Sequence, residues 1–130
     1  MGLFDAMQAS ASGMTVMRAW LDATADNLAN TQSVAKPGED PFRSQLIVAQ
    51  ANEDGLGVHV SEIDERDETP QAKFEPEHPY ADKDGMVFYP GIDMGIEMTN
   101  MVVAQRAYQA NITALQTARD AYQAALRLGR

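Results

Sequence analysis

The chain reads as an α+β protein. Long N- and C-terminal helices pair antiparallel in coiled-coil fashion, with a small central segment rich in β-hairpins between them. Three observations lead there. Apolar residues recur in alternating steps of three and four along both ends of the chain. In the middle the period gives way to short β-branched runs between turn signals. That middle segment is also too poor in large apolar side chains to cover two long helices, so the helices must cover one another. The corresponding boundaries are 1–33 for the first helical segment, 34–92 for a linker and small β-rich domain, and 93–130 for the second helical segment.

Along the first segment the pattern is Phe4, Met7, Ala11, Met14, Arg18, Leu21, Ala25 and Leu28, with only Arg18 out of character. Continued over this span it predicts a helix roughly 40 Å long, at about 1.5 Å per residue. Gly13 costs such a helix about 1 kcal/mol. The small cluster ASASG around it offers a compensation, because another backbone can approach closely there. Asn30 with Thr31 is the expected C-cap, since Asn tolerates the left-handed conformation that ends helices. Asn27 lies one turn earlier, where that explanation does not reach. Its amide is placed to bond a neighbouring helix and set register.

The last segment repeats the device with Met94, Met98, Met101, Gln105, Tyr108, Ile112, Leu115, Arg119, Tyr122 and Leu126. Asp93 is the expected N-cap, and Arg127 and Arg130 sit where the helix dipole favours cations. Between the helices, PFRSQLIVAQ and GVHVSEI flank the turn-rich ANEDGLG, which predicts a hairpin. QAKFE and GMVFY are two further short strand candidates around the turn signals EPEHP and ADKDG.

Charge narrows the function. The net charge is −9, and nearly all of it lies in residues 34–92, with five Lys/Arg against thirteen Asp/Glu. Clustered cations are missing, which argues against nucleic acid and against an anionic membrane surface. With no cysteine there is no thiolate site or disulfide framework. The apolar runs fall far short of the roughly 20 residues of a membrane span. Asp5 interrupts any hydrophobic core of a secretory leader, and no basic region precedes it, so composition alone suggests a cytosolic chain.

Nothing in the sequence converges into a reactive site, so no enzyme, metal or cofactor is expected. His59 and His78 have no second nitrogen or sulfur ligand at metal spacing. The stretch DKDG from Asp82 opens like a calcium loop, but Met86 and Asp93 stand at its later ligand positions, so it reads as a turn. The acidic run SEIDERDE at 61–68 reads as solvated surface. The methionines on the stripes fill space between helices and adapt readily to non-identical neighbours.

Both ends carry a longer likeness. SASGMTVMRAWLDATADNLAN, DPFRSQLIVAQ, GVHV, EPEHPYADKDGMVFYPGIDMGIEMTNM and AQRAYQANITALQTARDAYQAALRLGR follow in order over nearly the whole chain. In these motifs the sequence resembles the rod proteins of the bacterial flagellar basal body, most of all their small proximal-rod members.

The resemblance implies a non-enzymatic structural subunit whose terminal helices pack side by side into the tubular driveshaft that carries motor torque to the hook. It implies partners among other rod proteins and copies of itself, the MS-ring and rod adaptor proteins, and the flagellar type III export apparatus. It implies a periplasmic place in the basal body, reached without a cleaved signal peptide, in place of the cytosol. Nucleic acid and direct membrane insertion are not implied. The expected assembly residues are Met14, Leu21, Leu28, Met98, Met101, Tyr108, Ile112 and Leu115, with the polar Asn27, Asn30, Arg106 and Asn111. The competing class is a helical adaptor or export chaperone that holds helices of other proteins. It predicts a stable helical monomer or dimer that never enters basal bodies.

Overall fold

The structure, a computed structural model, describes residues 2–129. Its two long helices are α1 (Leu3–Ala29) and α2 (Met94–Leu128). α1 opens where the Gly2 N–H donates to the Asp5 carboxylate at 2.6 Å, an acid that also suits the positive end of the helix dipole. It closes at Asn30, but not through a left-handed residue, since Asn30 has φ −97°. Side chains serve the last carbonyls instead. The Asn30 amide donates to Asp26 O at 2.9 Å, and the Thr31 hydroxyl donates to Leu28 O at 2.9 Å. α2 begins as expected, with the Asp93 carboxylate accepting the Ile96 N–H at 3.0 Å.

The helices are antiparallel neighbours. Phe4 meets Tyr122 edge-on with ring centroids 5.2 Å apart, Asn111 lies over Gly13, and Asn27 bonds Glu97. The most buried line of α1 is one residue out of phase with its predicted apolar stripe, because the β1–β2 hairpin covers that side, while α2 meets the stripe at Phe4 and Met14. The covered line runs through Ala6, Ala9, Gly13, Val16, Trp20, Ala23 and Asn27. Met14, Leu21 and Leu28 flank it half-buried, while Phe4, Arg18 and Ala25 are exposed. On α2 half of the predicted stripe is partly covered, namely Met101, Tyr108, Ile112, Leu115 and Tyr122. The seam on α2 also includes Glu97, Ala104, Asn111 and Ala118. Helix axes approach most closely where side chains are small. Gly13 admits Asn111 in this way, and Met14 meets Tyr108 and Leu115 beside it.

Between the helices lie two separate hairpins. β1 (Gln45–Ala51) and β2 (Val58–Glu65) pair antiparallel from Gln45↔Glu65 to Ala51↔Val58, with a bulge at Val48/Ala49. Their turn rests on α1. The Ser12 hydroxyl accepts the Val58 N–H at 3.1 Å and donates to Ala9 O at 2.8 Å. Leu46, Ile47 and Ala49 face Val16, Met17 and Trp20 across a cleft of ≈ 240 Å³. β3 (Gln71–Phe74) and β4 (Met86–Tyr89) form the second hairpin. The linker joins it through the Ala35 N–H, which donates to Phe88 O at 3.1 Å. In the connecting loop, one Asp82 carboxylate oxygen accepts the N–H groups of Asp84 and Met86 at 2.9 and 2.8 Å, so DKDG is a turn.

Among the described residues, α2 packs along α1 and along no strand, whereas α1 carries both α2 and the β1–β2 hairpin. The apolar core is correspondingly thin. Its buried members are Val16, Ala23, Val87, Ile92, Ala104 and Ala118.

Candidate functional site

Where the C-terminal end of α1 meets the N-terminal end of α2, four parts of the chain converge on one polar node. Its centre is Glu97, 1% exposed, with Asn27 beside it at 0%. The Asn27 amide donates to Glu97 Oε2 at 3.0 Å and to Gln45 O at 3.0 Å. Its Oδ1 accepts the Gln45 N–H at 2.7 Å. The side chain of Asn27 therefore pairs both backbone groups of the first residue of β1. The other Glu97 oxygen accepts from Arg66 Nη1 at 2.7 Å, and more weakly from the Asn100 amide at 3.4 Å. Arg66 follows β2 directly, and its own N–H donates to Ser44 O at 2.8 Å. Ser44 is also fully buried and donates its hydroxyl to Glu68 at 2.8 Å.

This geometry bears on two expectations. Asn27 is spent inside the protomer, so its amide is not on a surface that another chain can reach. It does set register, but between its own helix, α2 and β1. SEIDERDE is also not wholly solvated. Arg66 leaves that run to neutralise Glu97, and Glu68 turns in to Ser44.

The other expected assembly residues divide by exposure. Met98 and Arg106 are exposed, and Met14, Leu21, Leu28, Asn30, Met101, Tyr108, Asn111, Ile112 and Leu115 are half-buried. Met14, Tyr108 and Leu115 meet in a shallow cleft of ≈ 170 Å³ with Ala11, Thr15 and Arg18. Asn111 packs on Gly13. Ile96, Val102 and Val103 were missed by the stripe. With Met94 and Met98 they leave exposed apolar side chains along the first three turns of α2, on both flanks of the line Gly95, Thr99 and Arg106. Glu97 was missed as well. The signal was available, because Glu97, Ala104, Asn111 and Ala118 share heptad spacing. A carboxylate on an inward line demands a partner.

The chemistry elsewhere is structural. The His59 ring is bonded to the Asn52 side chain at 2.8 Å, and His78 Nδ1 accepts the Tyr80 N–H at 3.1 Å. Among the described residues, no group of three His, Asp or Glu side chains is arranged to hold a metal ion. Among the same residues, no helix is long and apolar enough to cross a membrane. The Tyr89 hydroxyl donates to the Glu75 carboxylate at 3.2 Å, and Lys73 Nζ lies 4.4 Å from the Tyr89 ring centre. Desolvation, then the hydrogen bond and charge of Glu75, raise the Tyr89 pKa above its ordinary 10.0.

Residues 83–128 match the family model described as the C-terminal region of the flagellar basal body rod FlgEFG proteins. Over almost its whole length the chain is similar to proteins named flagellar basal-body rod protein FlgC. It is 35% identical to the one from Escherichia coli O6:H1, covering 99% of both chains. It is 36% identical to the one from Aquifex aeolicus, covering 95% of this chain and 94% of that protein. It is 30% identical to the one from Bacillus subtilis, covering both chains completely.

Proposed function

This chain belongs to the flagellar basal-body rod protein family and is a structural subunit of the basal-body rod, and from that premise we propose how it builds the proximal rod. Residues 1–33 and 93–130 form the tube wall, and residues 34–92 form the outer domain. Each helix pair is enclosed by neighbouring rod proteins and further copies of the same chain. The packed wall resists shear, and in that way it passes torque toward the hook.

One observation carries this reading. A monomeric protein of 14.2 kDa is expected to expose roughly 6,800 Å², whereas this chain exposes 8818 Å². The excess of roughly 2,000 Å² is more than the ~800 Å² per partner of one ordinary interface. It suits a subunit enclosed on several sides. The bare apolar turns of α2 place part of that excess on a helix, where a monomer gains nothing from it.

The remaining parts of the reading follow from the rod. The chain acts by packing and carries out no reaction. At the base of the rod it meets the MS-ring and adaptor proteins. It reaches the periplasm through the type III apparatus.

The test places charge on the bare face without disturbing the seam. Met98→Asp with Val102→Asp, both about half exposed, leaves the isolated chain folded with wild-type helix content. In cells it stops rod completion and abolishes motility. Full-length rods and normal swimming with this variant as the sole copy refute the assignment of that face.

A further inference from the structure

Two Asp–Gly steps occur in the chain, Asp54–Gly55 and Asp84–Gly85. At such a step a backbone can rearrange without an enzyme, because glycine has no side chain to keep its nitrogen away from the preceding carboxyl. The two steps share their local backbone. Each glycine lies in a turn at positive φ, 73° and 76°. In each the glycine N–H donates to the carbonyl three residues back, Gly55 to Asn52 O at 2.9 Å and Gly85 to Asp82 O at 3.1 Å.

Their surroundings separate them. Gly85 is half-buried, and a β-carbon there would stand 2.9 Å from the Phe74 ring and 3.1 Å from Pro76 Cβ. Its carbonyl accepts the Glu75 N–H at 2.9 Å, which extends the β3–β4 ladder by one step. The carboxylate that spans this loop belongs to Asp82, which holds the N–H groups of Asp84 and Met86. The residue after Asp82 is Lys83, whose side chain shields its nitrogen. Gly55, by contrast, is exposed, with nothing within 4 Å of a β-carbon. The carboxylate that spans its loop is that of Asp54 itself, whose Oδ1 accepts the Leu56 N–H at 2.9 Å. The ring closed by that bond contains both the Asp54 Cγ and the Gly55 nitrogen. The carboxyl is thus already folded forward over the peptide that can attack it. The contacts that distinguish the two steps lie within residues 52–57 and 74–86, and none involves either long helix.

We propose that Asp54–Gly55 is a site of spontaneous isoaspartate formation, and that the fold protects Asp84–Gly85 from the same reaction. The Gly55 nitrogen bonds to Cγ of the protonated Asp54 carboxyl, and the amide proton leaves with the carboxyl hydroxyl as one water molecule. The resulting succinimide takes up one water at either of its carbonyl carbons. Opening at Cγ restores Asp54. Opening at the main-chain carbon leaves Gly55 attached through the side chain, with the α-carboxylate free. Mass and charge are unchanged at the end, and water is the only co-reactant. The product adds a methylene to the backbone between Asn52 and Gly57. The bonds that close this turn then lose their spacing, namely Asn52 N–H to Gly57 O at 3.1 Å and the Asn52 amide to Leu56 O at 2.7 Å. The tip of the β1–β2 hairpin therefore loosens as the protein ages.

The experiment incubates the full-length chain at neutral pH and follows isoaspartate at both steps. One readout is carboxyl methylation by an isoaspartyl methyltransferase with radiolabelled S-adenosylmethionine. The other is mass spectrometry with electron-transfer fragmentation, which tells isoaspartate from aspartate. Isoaspartate forms at position 54 about tenfold faster than at 84, the ratio expected when reaction at 84 must first break the Glu75 bond and the packing on Phe74. In urea the ratio falls toward one, because both steps then belong to a free chain. Asp54→Glu abolishes methylation at its turn, and Asp84→Glu leaves it unchanged. Equal rates at the two steps in the native chain overturn the proposal. So does a ratio that survives unchanged in urea, since neighbouring sequence alone then sets it, and so does methylation of this turn that persists in Asp54→Glu.

Discussion

Asn111 lies across Gly13: a β-carbon at position 13 would stand 3.0 Å from the Asn111 Nδ2 and 3.1 Å from its Oδ1. The glycine that weakens α1 by about 1 kcal/mol is therefore what admits the α2 side chain. Gly13→Leu should cost about 1–3 kcal/mol in urea unfolding, since the added carbons have nowhere to go without parting the helices. Gly13→Ala combined with Asn111→Ala should stabilise the chain by about 1 kcal/mol. Both positions then become better helix formers and the crowding disappears.

Gly55 and Gly57 both lie in the β1–β2 turn with positive φ, 73° and 84°, but their surroundings differ. Nothing lies within 4 Å of a β-carbon at Gly55, whereas one at Gly57 would run into the Ser12 hydroxyl and reach the Ala9 Cα at 3.4 Å. Gly55→Ala should cost only the backbone strain of about 1–2 kcal/mol. Gly57→Ala carries that strain and also lifts the turn off α1, so it should cost more. The difference between their unfolding midpoints measures the docking of the hairpin. Equal midpoints count against a tight contact there.

Asp93 holds the first turn of α2 through the Ile96 N–H. Asp93→Ala should destabilise the chain by about 1 kcal/mol, and Asp93→Ser by much less, because Ser also caps. Thermal unfolding followed by circular dichroism reads both. An Ala variant as stable as wild type shows that the cap is dispensable.

Tyr89 gives the one pH dependence with a clear sign. Desolvation, together with the Glu75 hydrogen bond and charge, favours the neutral phenol in the folded state. Its contribution to stability is therefore complete below the ordinary value of 10.0 and is lost as pH rises through the higher folded pKa. The ultraviolet phenolate titration of Tyr89, obtained by difference against Tyr89→Phe, should have its midpoint above 10.0, and Glu75→Gln should lower that midpoint. A Glu75→Gln titration that superimposes on wild type removes Glu75 as a cause.

The two helices and the β1–β2 pair were legible because each rests on local rules. Steps of three and four marked α1 and α2, Asp93 announced its cap, and ANEDGLG announced the turn between β1 and β2. The phase of the most buried line of α1 was not legible. Large apolar residues such as Met14, Leu21 and Leu28 dominate any periodic pattern, yet they sit at the rim. The side of α1 that is buried most carries the hairpin through Ala9, Val16 and Trp20, and Gly13 beside it admits Asn111. Asn27 could be recognised as a residue with a partner, but its partners lie 18 and 70 residues away.

By itself, then, the order of residues determined two long helices, a hairpin-bearing acidic middle and the family to which the chain belongs, because propensity, capping and turn chemistry act between near neighbours. Only the tertiary structure decided which face of each helix is closed, which is left bare, and that Glu97, Arg66, Gln45 and Asn27 meet in one place. The reason is physical. A buried charge must find its counter-charge wherever the fold brings one, and close packing selects for small volume, which leaves no periodic apolar mark in a sequence.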